Sequence, residues 1–177
     1  PIRFSMDQST HQYIYPGIIL NRVYCGLNTT YNFTDKLTFS GGINYIMDKS
    51  KGRPGTGFFG PNPMLQFNMY GQRQLDNNRL MDYKYADGSQ QTWNRSSWNN
   101  PRPASAENPY WNQYENFNSD RNDRYFGYLG LNYKLTDWLA ADVRVFSDFL
   151  NHLDEARGAK DLLGSAGSYA RRELEYN

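Results

Sequence analysis

Few side chains in this sequence are placed for bond chemistry. His11 and His152 lie near opposite ends, and neither has a Cys or His partner at metal-ligand spacing. Solvent-exposed histidine is the expectation for both. Cys25 is the sole cysteine, so no intrachain disulfide can form. With no paired base in view it reads as a small apolar residue facing lipid or a neighbour. Gly52–Gly57 has a passing likeness to a phosphate loop. It lacks the Gly-Lys-Ser/Thr ending and the strand-to-helix setting, and reads as a bend at the base of a loop. Asp154 and Glu155 read as part of a solvated loop turn. Asn28, Asn32 and Asn94 each open a glycosylation sequon, and the first two, in expected membrane strands, read as chance. The contact chemistry that remains is a set of loop aromatics: Phe58, Phe59, Trp93, Trp98, Tyr110 and Trp111. Aromatic faces stack on sugar rings and anchor interfaces, with loop packing as the competing use. Arg73, Arg79 and Asp76 add polar candidates. No catalytic residue, cofactor or metal is expected.

Composition points the same way. The 177 residues suffice for one ordinary domain, yet only 38% are apolar while 16% are aromatic, led by 15 Tyr and 10 Phe. Tyrosine girdles, strand glycines and long polar loops together are characteristic of outer-membrane barrels. A net charge of +1, with basic and acidic residues interleaved at Asp120–Arg124, excludes a nucleic-acid binder that works by displacing counterions. Gly17–Leu20 is far too short for a membrane helix, and residues 1–20 lack a signal-peptide pattern. Both ends read as interrupted strands, so the chain is expected to be a piece of a larger protein.

The elements that must hold the aromatics are strands. Cys25, Leu27, Thr29, Tyr31 and Phe33 alternate with Gly26, Asn28, Thr30 and Asn32. After Thr34-Asp35-Lys36, Leu37, Phe39, Gly41, Ile43, Tyr45 and Met47 alternate with Thr38, Ser40, Gly42 and Asn44. A period of two puts one set on each face, and the tight turn makes an antiparallel hairpin. A second hairpin places Tyr125, Leu129, Leu131, Tyr133 and Leu135 on one face. Beyond Thr136-Asp137, that face continues with Leu139, Ala141, Val143, Val145 and Phe149, against Asp142, Arg144 and Asp148. Strands are expected near 18–33, 37–47, 124–135 and 138–149, with Phe33 and Trp138 at an interfacial aromatic belt. A first strand ends near Met6, before a loop over Asp7–Gly17, and a last one begins near Tyr169. A long loop spans 48–122, with a short helix about Met64–Arg79. A second loop runs from Asn151 to Ser168, with Asp154–Arg157 as a helical turn. All long loops fall on one side, the extracellular one in bacterial barrels. The fold class is all-β, an antiparallel transmembrane β-barrel segment. Two rivals are a soluble β-sheet carbohydrate-binding module and a small complete barrel of about eight strands.

Five phrases in order carry a family likeness: Thr34–Gly41 leading to Ile43-Asn44-Tyr45; Ser50–Gly57; Gln72–Asp76 with Asp87-Gly88 and Thr92-Trp93-Asn94; Asn108–Trp111 with Tyr114-Glu115-Asn116 and Asp120–Arg124; and Thr136–Leu139 with Arg144. Their order and spacing resemble the middle of the barrel domain of SusC/RagA-type TonB-dependent outer-membrane transporters, over nearly the whole chain. The resemblance implies a much larger parent, a plugged barrel of about 22 strands. It also implies import of an oligosaccharide or peptide, a SusD-like surface lipoprotein as partner, and TonB engaged through plug and amino-terminal regions that none of these phrases represents. No enzymatic step is implied.

Overall fold

Two short turns set the register of one large sheet. The computed structural model describes residues 1–55, 62–160, 162–163 and 170–176. In chain order its elements are β1 (Ile2–Gln12), β2 (Ile19–Asn32), β3 (Leu37–Lys51), α1 (Pro63–Tyr70), a 3₁₀ turn at Arg79–Met81, β4 (Arg95–Ser97), β5 (Asn100–Pro103), α2 (Pro109–Glu115), β6 (Phe117–Lys134), β7 (Ala140–Arg157) and β8 (Ala170–Tyr176). Six of the strands form an antiparallel sheet in the order β1-β2-β3-β6-β7-β8. At the first turn, Phe33 and Thr34 N–H donate to the Leu37 carbonyl at 2.9 and 3.4 Å, and the Thr34 hydroxyl accepts from Lys36 and Leu37 N–H. At the second, Leu135 and Thr136 N–H donate to the Leu139 carbonyl at 2.9 and 3.1 Å. A threonine hydroxyl that bonds its own backbone favours such a turn.

The register sorts the sequence alternation onto two faces. One carries Phe4 and Met6 of β1, Cys25, Leu27 and Tyr31 of β2, Phe39, Ile43, Tyr45 and Met47 of β3, Tyr125, Leu129, Leu131 and Tyr133 of β6, and Val143, Val145 and Phe149 of β7. Most of these large apolar side chains are exposed, Val145 at 64%. From Leu37 to Met47 the apolar band covers ten residue steps, about 33 Å along a strand and ~25 Å upright at a tilt of ~40°. Phe33, Tyr133 and Trp138 border it at the turn end, and the stacked Tyr45–Tyr125 pair borders it at the other, with centroids 4.7 Å apart.

The strands run past this band, and here the sequence expectation is corrected. β1 continues to Gln12 instead of ending near Met6. β3 reaches Lys51, and β6 starts at Phe117 inside the expected 48–122 loop. β7 extends to Arg157, so Asp154–Arg157 is strand and not a helical turn. The apolar alternation stops where the band stops. The hydrogen-bond ladder does not stop there: backbone pairing continues, with cross-strand polar and charged pairs such as Arg22–Asp48 in place of apolar contacts.

Between β3 and β6 the loop folds into a unit of its own. Both helices start on Asn-Pro: the Asn62 side chain accepts from Leu65 N–H and that of Asn108 from Tyr110 N–H, with Pro63 and Pro109 in the first turn. Asparagine is a good N-cap, and proline suits a position whose N–H has no helical partner. α1 occupies the first part of the expected Met64–Arg79 helix. Leu80, Ala106 and Trp111 are buried, but so are Gln66, Gln90, Thr92, Glu107, Asn108 and Asn112. The Asn108 amide donates to the carbonyls of Leu80 and Gln91 at 2.8 and 3.0 Å, tying three segments together. The loop's ends meet where Gly52 N–H donates to the Asn118 carbonyl at 2.8 Å. Gly52 has φ +74° there, as the expected bend requires.

Candidate functional site

The second sheet face carries arginine–aspartate pairs together with apolar and aromatic residues such as Ile46, Phe126, Tyr128 and the exposed Phe146, and part of it converges. Arg22, Tyr24, Ile46, Asp48, Asn122, Arg124, Asp148 and Leu150 line a cleft of about 970 Å³. All stand at even positions of β2, β3, β6 and β7, opposite the apolar set.

Two arginine–carboxylate forks shape this cleft. Arg22 Nε and Nη2 donate to the two Asp48 oxygens at 2.6 and 2.9 Å. Arg124 grips Asp148 in the same two-pronged way, and its guanidinium lies 5.3 Å from the Phe126 ring centroid. The Tyr24 hydroxyl donates to Asn44 Oδ1 at 2.8 Å, and His152 meets Asn122 across β6–β7. Exposed ion pairs of this kind add little to stability. What they fix is direction. Each guanidinium has five N–H donors and uses two in its fork, so the rest are held in a set orientation. The lining carries two positive and two negative side chains, formally neutral in sum. Such a surface offers fixed donors, acceptors and an aromatic hydroxyl to an uncharged polar ligand.

The loop contributes an aromatic ledge. α2 presents Tyr110 and Tyr114 one turn apart, and Tyr114 stacks on Tyr83 at 5.6 Å and on Tyr110 at 6.4 Å. Lys84 binds Glu115 at 2.6 Å and lies against the Tyr83 and Trp111 rings. That contact with Glu115 raises the Lys84 pKa. Trp98 stands 90% exposed at the tip of the β4–β5 ribbon. Trp93 donates its indole N–H to the Tyr70 carbonyl at 3.2 Å. Trp111 is buried beside Tyr83, so its ring packs the loop and is not presented to a ligand. Arg73 and Arg79 are exposed. Asp76 turns its carboxylate to the Asn78 N–H. Phe58 and Phe59 lie outside the described residues. Tyr110 and Tyr114 thus share one surface, whereas Trp93, Trp98, Arg73 and Arg79 are not drawn into a single cluster.

Sequence reasoning did not single out the cleft residues as a site. Their signal was available in the turn at Asp35. Arg22 lies thirteen residues before it and Asp48 thirteen after, and so the two face each other. Glu107 was also passed over. It is 2% exposed, and its carboxylate accepts from Leu163 N–H at 2.6 Å. Burial raises its pKa, while hydrogen bonds from Leu163, Gln90, Asn112 and Asn116 oppose the rise. With the Asn116 side chain accepting from Ala159 N–H at 2.8 Å, it clasps the second loop to the first.

No group of three or more His, Cys, Asp or Glu among the described residues is placed to hold a metal ion. No family model matches the chain. No curated protein or solved structure matches it either.

Proposed function

We propose that this chain is a section of the wall of an outer-membrane importer of the SusC/RagA TonB-dependent type, which takes up an oligosaccharide or a peptide. The observation that carries the reading is the sorting of the two sheet faces. One face carries a continuous, solvent-open apolar band, and the paired arginines and aspartates stand on the other. A soluble carbohydrate-binding module needs the reverse arrangement, with its apolar face covered. The one other sheet among the described residues is the β4–β5 ribbon, which belongs to the loop. Lipid is the natural cover for a ~25 Å apolar band bordered by aromatic residues. In this reading the strands are part of a plugged barrel of about 22 strands, with its long loops extracellular. The cleft lines the passage, and the tyrosine ledge faces substrate or a SusD-like lipoprotein. TonB supplies the energy through regions outside this sequence. No bond is broken, so the protein acts as a carrier.

Topology is testable by labelling the full-length protein in a Cys25→Ser background. With a membrane-impermeant maleimide, Trp98→Cys is expected to label on intact cells, and Asp137→Cys only after the outer membrane is permeabilised. Cells producing the Arg22→Ala/Arg124→Ala variant should accumulate less of a labelled oligosaccharide or oligopeptide pool than wild type. Equal labelling at both positions on intact cells, or recovery of the protein without detergent, removes the transport reading.

A further inference from the structure

The apolar face ends on its loop side in a row of unlike chemistry. Lys49 of β3 and Arg121 of β6 are direct cross-strand partners on that face. Like charges directly opposite each other repel. The other cross-strand neighbour of Lys49 is Asn21, which offers no carboxylate. Arg121 has an acidic partner one row below, where its Nε and Nη2 meet Asp123 at 2.7 and 3.0 Å. The same carboxylate accepts from the Tyr45 hydroxyl at 2.6 Å, so it is already engaged twice. Both cations are exposed. Lys51 continues the basic row along β3 on the same face.

Directly below lie the Tyr45–Tyr125 stack and then an apolar slot. Gly127 is its floor, because a side chain there would strike the Gly42 carbonyl. Ile43, Tyr125, Leu129, Val145 and Phe149 are among its walls, and its volume is about 310 Å³. The slot sits in the row of Ile43, six residue steps below Lys49. At ~3.3 Å per residue and a tilt of ~40°, that is about 15 Å, half the hydrocarbon thickness of a bilayer. The Lys49–Arg121 row therefore falls at headgroup height when the slot is at mid-membrane. Phe33, Tyr133 and Trp138 fall near the opposite boundary by the same spacing.

We infer that this outward face binds one phosphorylated lipid of the adjoining leaflet, with Lys49 and Arg121 holding its phosphate and the Gly127 slot receiving an acyl chain. An anion between the two cations removes their repulsion. Unused guanidinium donors of Arg121 and the Lys49 ammonium can both reach upward, since long basic side chains extend their charge to the membrane surface. The slot accepts a flexible chain without needing any polar partner. The occupant is thus an amphiphile with an anionic head, not a soluble anion. The inference rests on the transmembrane reading above.

The test is lipid phosphorus that remains on the full-length protein after purification from outer membranes in non-ionic detergent and extensive washing. Wild type is expected to retain about one phosphorylated lipid, identified by mass spectrometry of the extract. Lys49→Gln/Arg121→Gln should retain at least tenfold less, and Lys49→Arg/Arg121→Lys should restore binding. Heat-modifiable migration shows that each variant is folded. If the double variant fails that check, wild type alone decides. Screening at high salt should release the lipid. Equal retention by folded wild type and double variant, or wild-type retention indifferent to salt, overturns the inference while leaving the barrel intact. Recovery of the protein without detergent overturns the transmembrane reading first, and this inference with it.

Discussion

The sheet and the loop unit place their polar side chains differently. The sheet sets its arginine–aspartate forks on one face and leaves Val143, Val145 and Leu129 exposed on the other. The loop unit buries Glu107, Asn108 and Asn112 together with Leu80, Ala106 and Trp111. The sheet is held by main-chain ladders that need no side chain. The loop is held by side chains that bond main chain: Asn108 to Leu80 and Gln91, Asn116 to Ala159, Gln113 to Gly52. The difference teaches that the placing of polar side chains does not by itself report the surroundings. The identity of the exposed residues does.

The comparison breaks most readily on the outer face. Under the proposed membrane placement, Val145→Arg is expected to cost about 2–4 kcal/mol in urea titrations of the full-length protein folded in lipid vesicles, the penalty of a cation at mid-membrane. On the opposite face, Arg144→Gln next to it should change stability by no more than about 0.5 kcal/mol. Similar losses at both positions would show that the two faces see one solvent.

In the loop, Asn108→Ala removes a helix cap and leaves two buried carbonyls without their donor. A loss of about 2 kcal/mol in loop stability is expected. Hydrogen exchange should rise in residues 62–116 and stay unchanged in β2 and β3. Spread of the change into the sheet would mean that the two regions are one cooperative unit.

Glu107 gives a smaller effect with a definite sign. Burial raises its pKa in the folded loop above the ordinary value of 4.5. Between those two values the folded state binds more protons than the unfolded one, so stability falls as pH rises through that window. The contribution is fully present below the ordinary value. The protection factor of the Leu163 N–H, with the intrinsic base-catalysed rate divided out, should therefore fall from acid to neutral pH, and Glu107→Gln should flatten that dependence. An unchanged slope in the variant would assign it to another group.

The smallest expected change is in Arg22→Ala alone. Loss of one exposed fork should cost no more than about 1 kcal/mol by the same urea titration. Under the proposed transport function its consequence belongs in uptake, where the cleft loses an oriented donor set. A large stability loss instead would make the fork a structural clamp.

Much of the sheet was legible because two physical signals agree there. A side-chain period of two marks each apolar face, and Thr34 and Thr136 mark the turns. Once Asp35 and Asp137 are taken as pairing centres, the partners within the β2–β3 and β6–β7 hairpins follow, including Asp48 for Arg22 and Leu150 for Arg124, whereas the β1–β2, β3–β6 and β7–β8 registers do not. The strand ends were not legible, since β1 beyond Met6 and β7 beyond Phe149 lack apolar alternation and persist by backbone pairing. In the loop, Asn62-Pro63 and Asn108-Pro109 are cap-and-start signals, and only their pairing with helix-forming residues downstream separates them from ordinary turns. The burial of Trp111 and Glu107 depends on contacts between segments distant in sequence, which no local pattern records.

The meeting of Gly52 and Asn118 bears on the order of assembly. β2–β3 and β6–β7 are each joined by a turn of a few residues, so each hairpin can close locally, on the order of 1–10 μs. Joining β3 to β6 is another matter, because residues 52–116 lie between them. Closing so long a segment costs entropy that grows only with the logarithm of its length. A folded loop with its two ends already side by side delivers the second hairpin to the first in register. Residues can then be inserted at the far tip, around Trp98, without altering which strand residues pair.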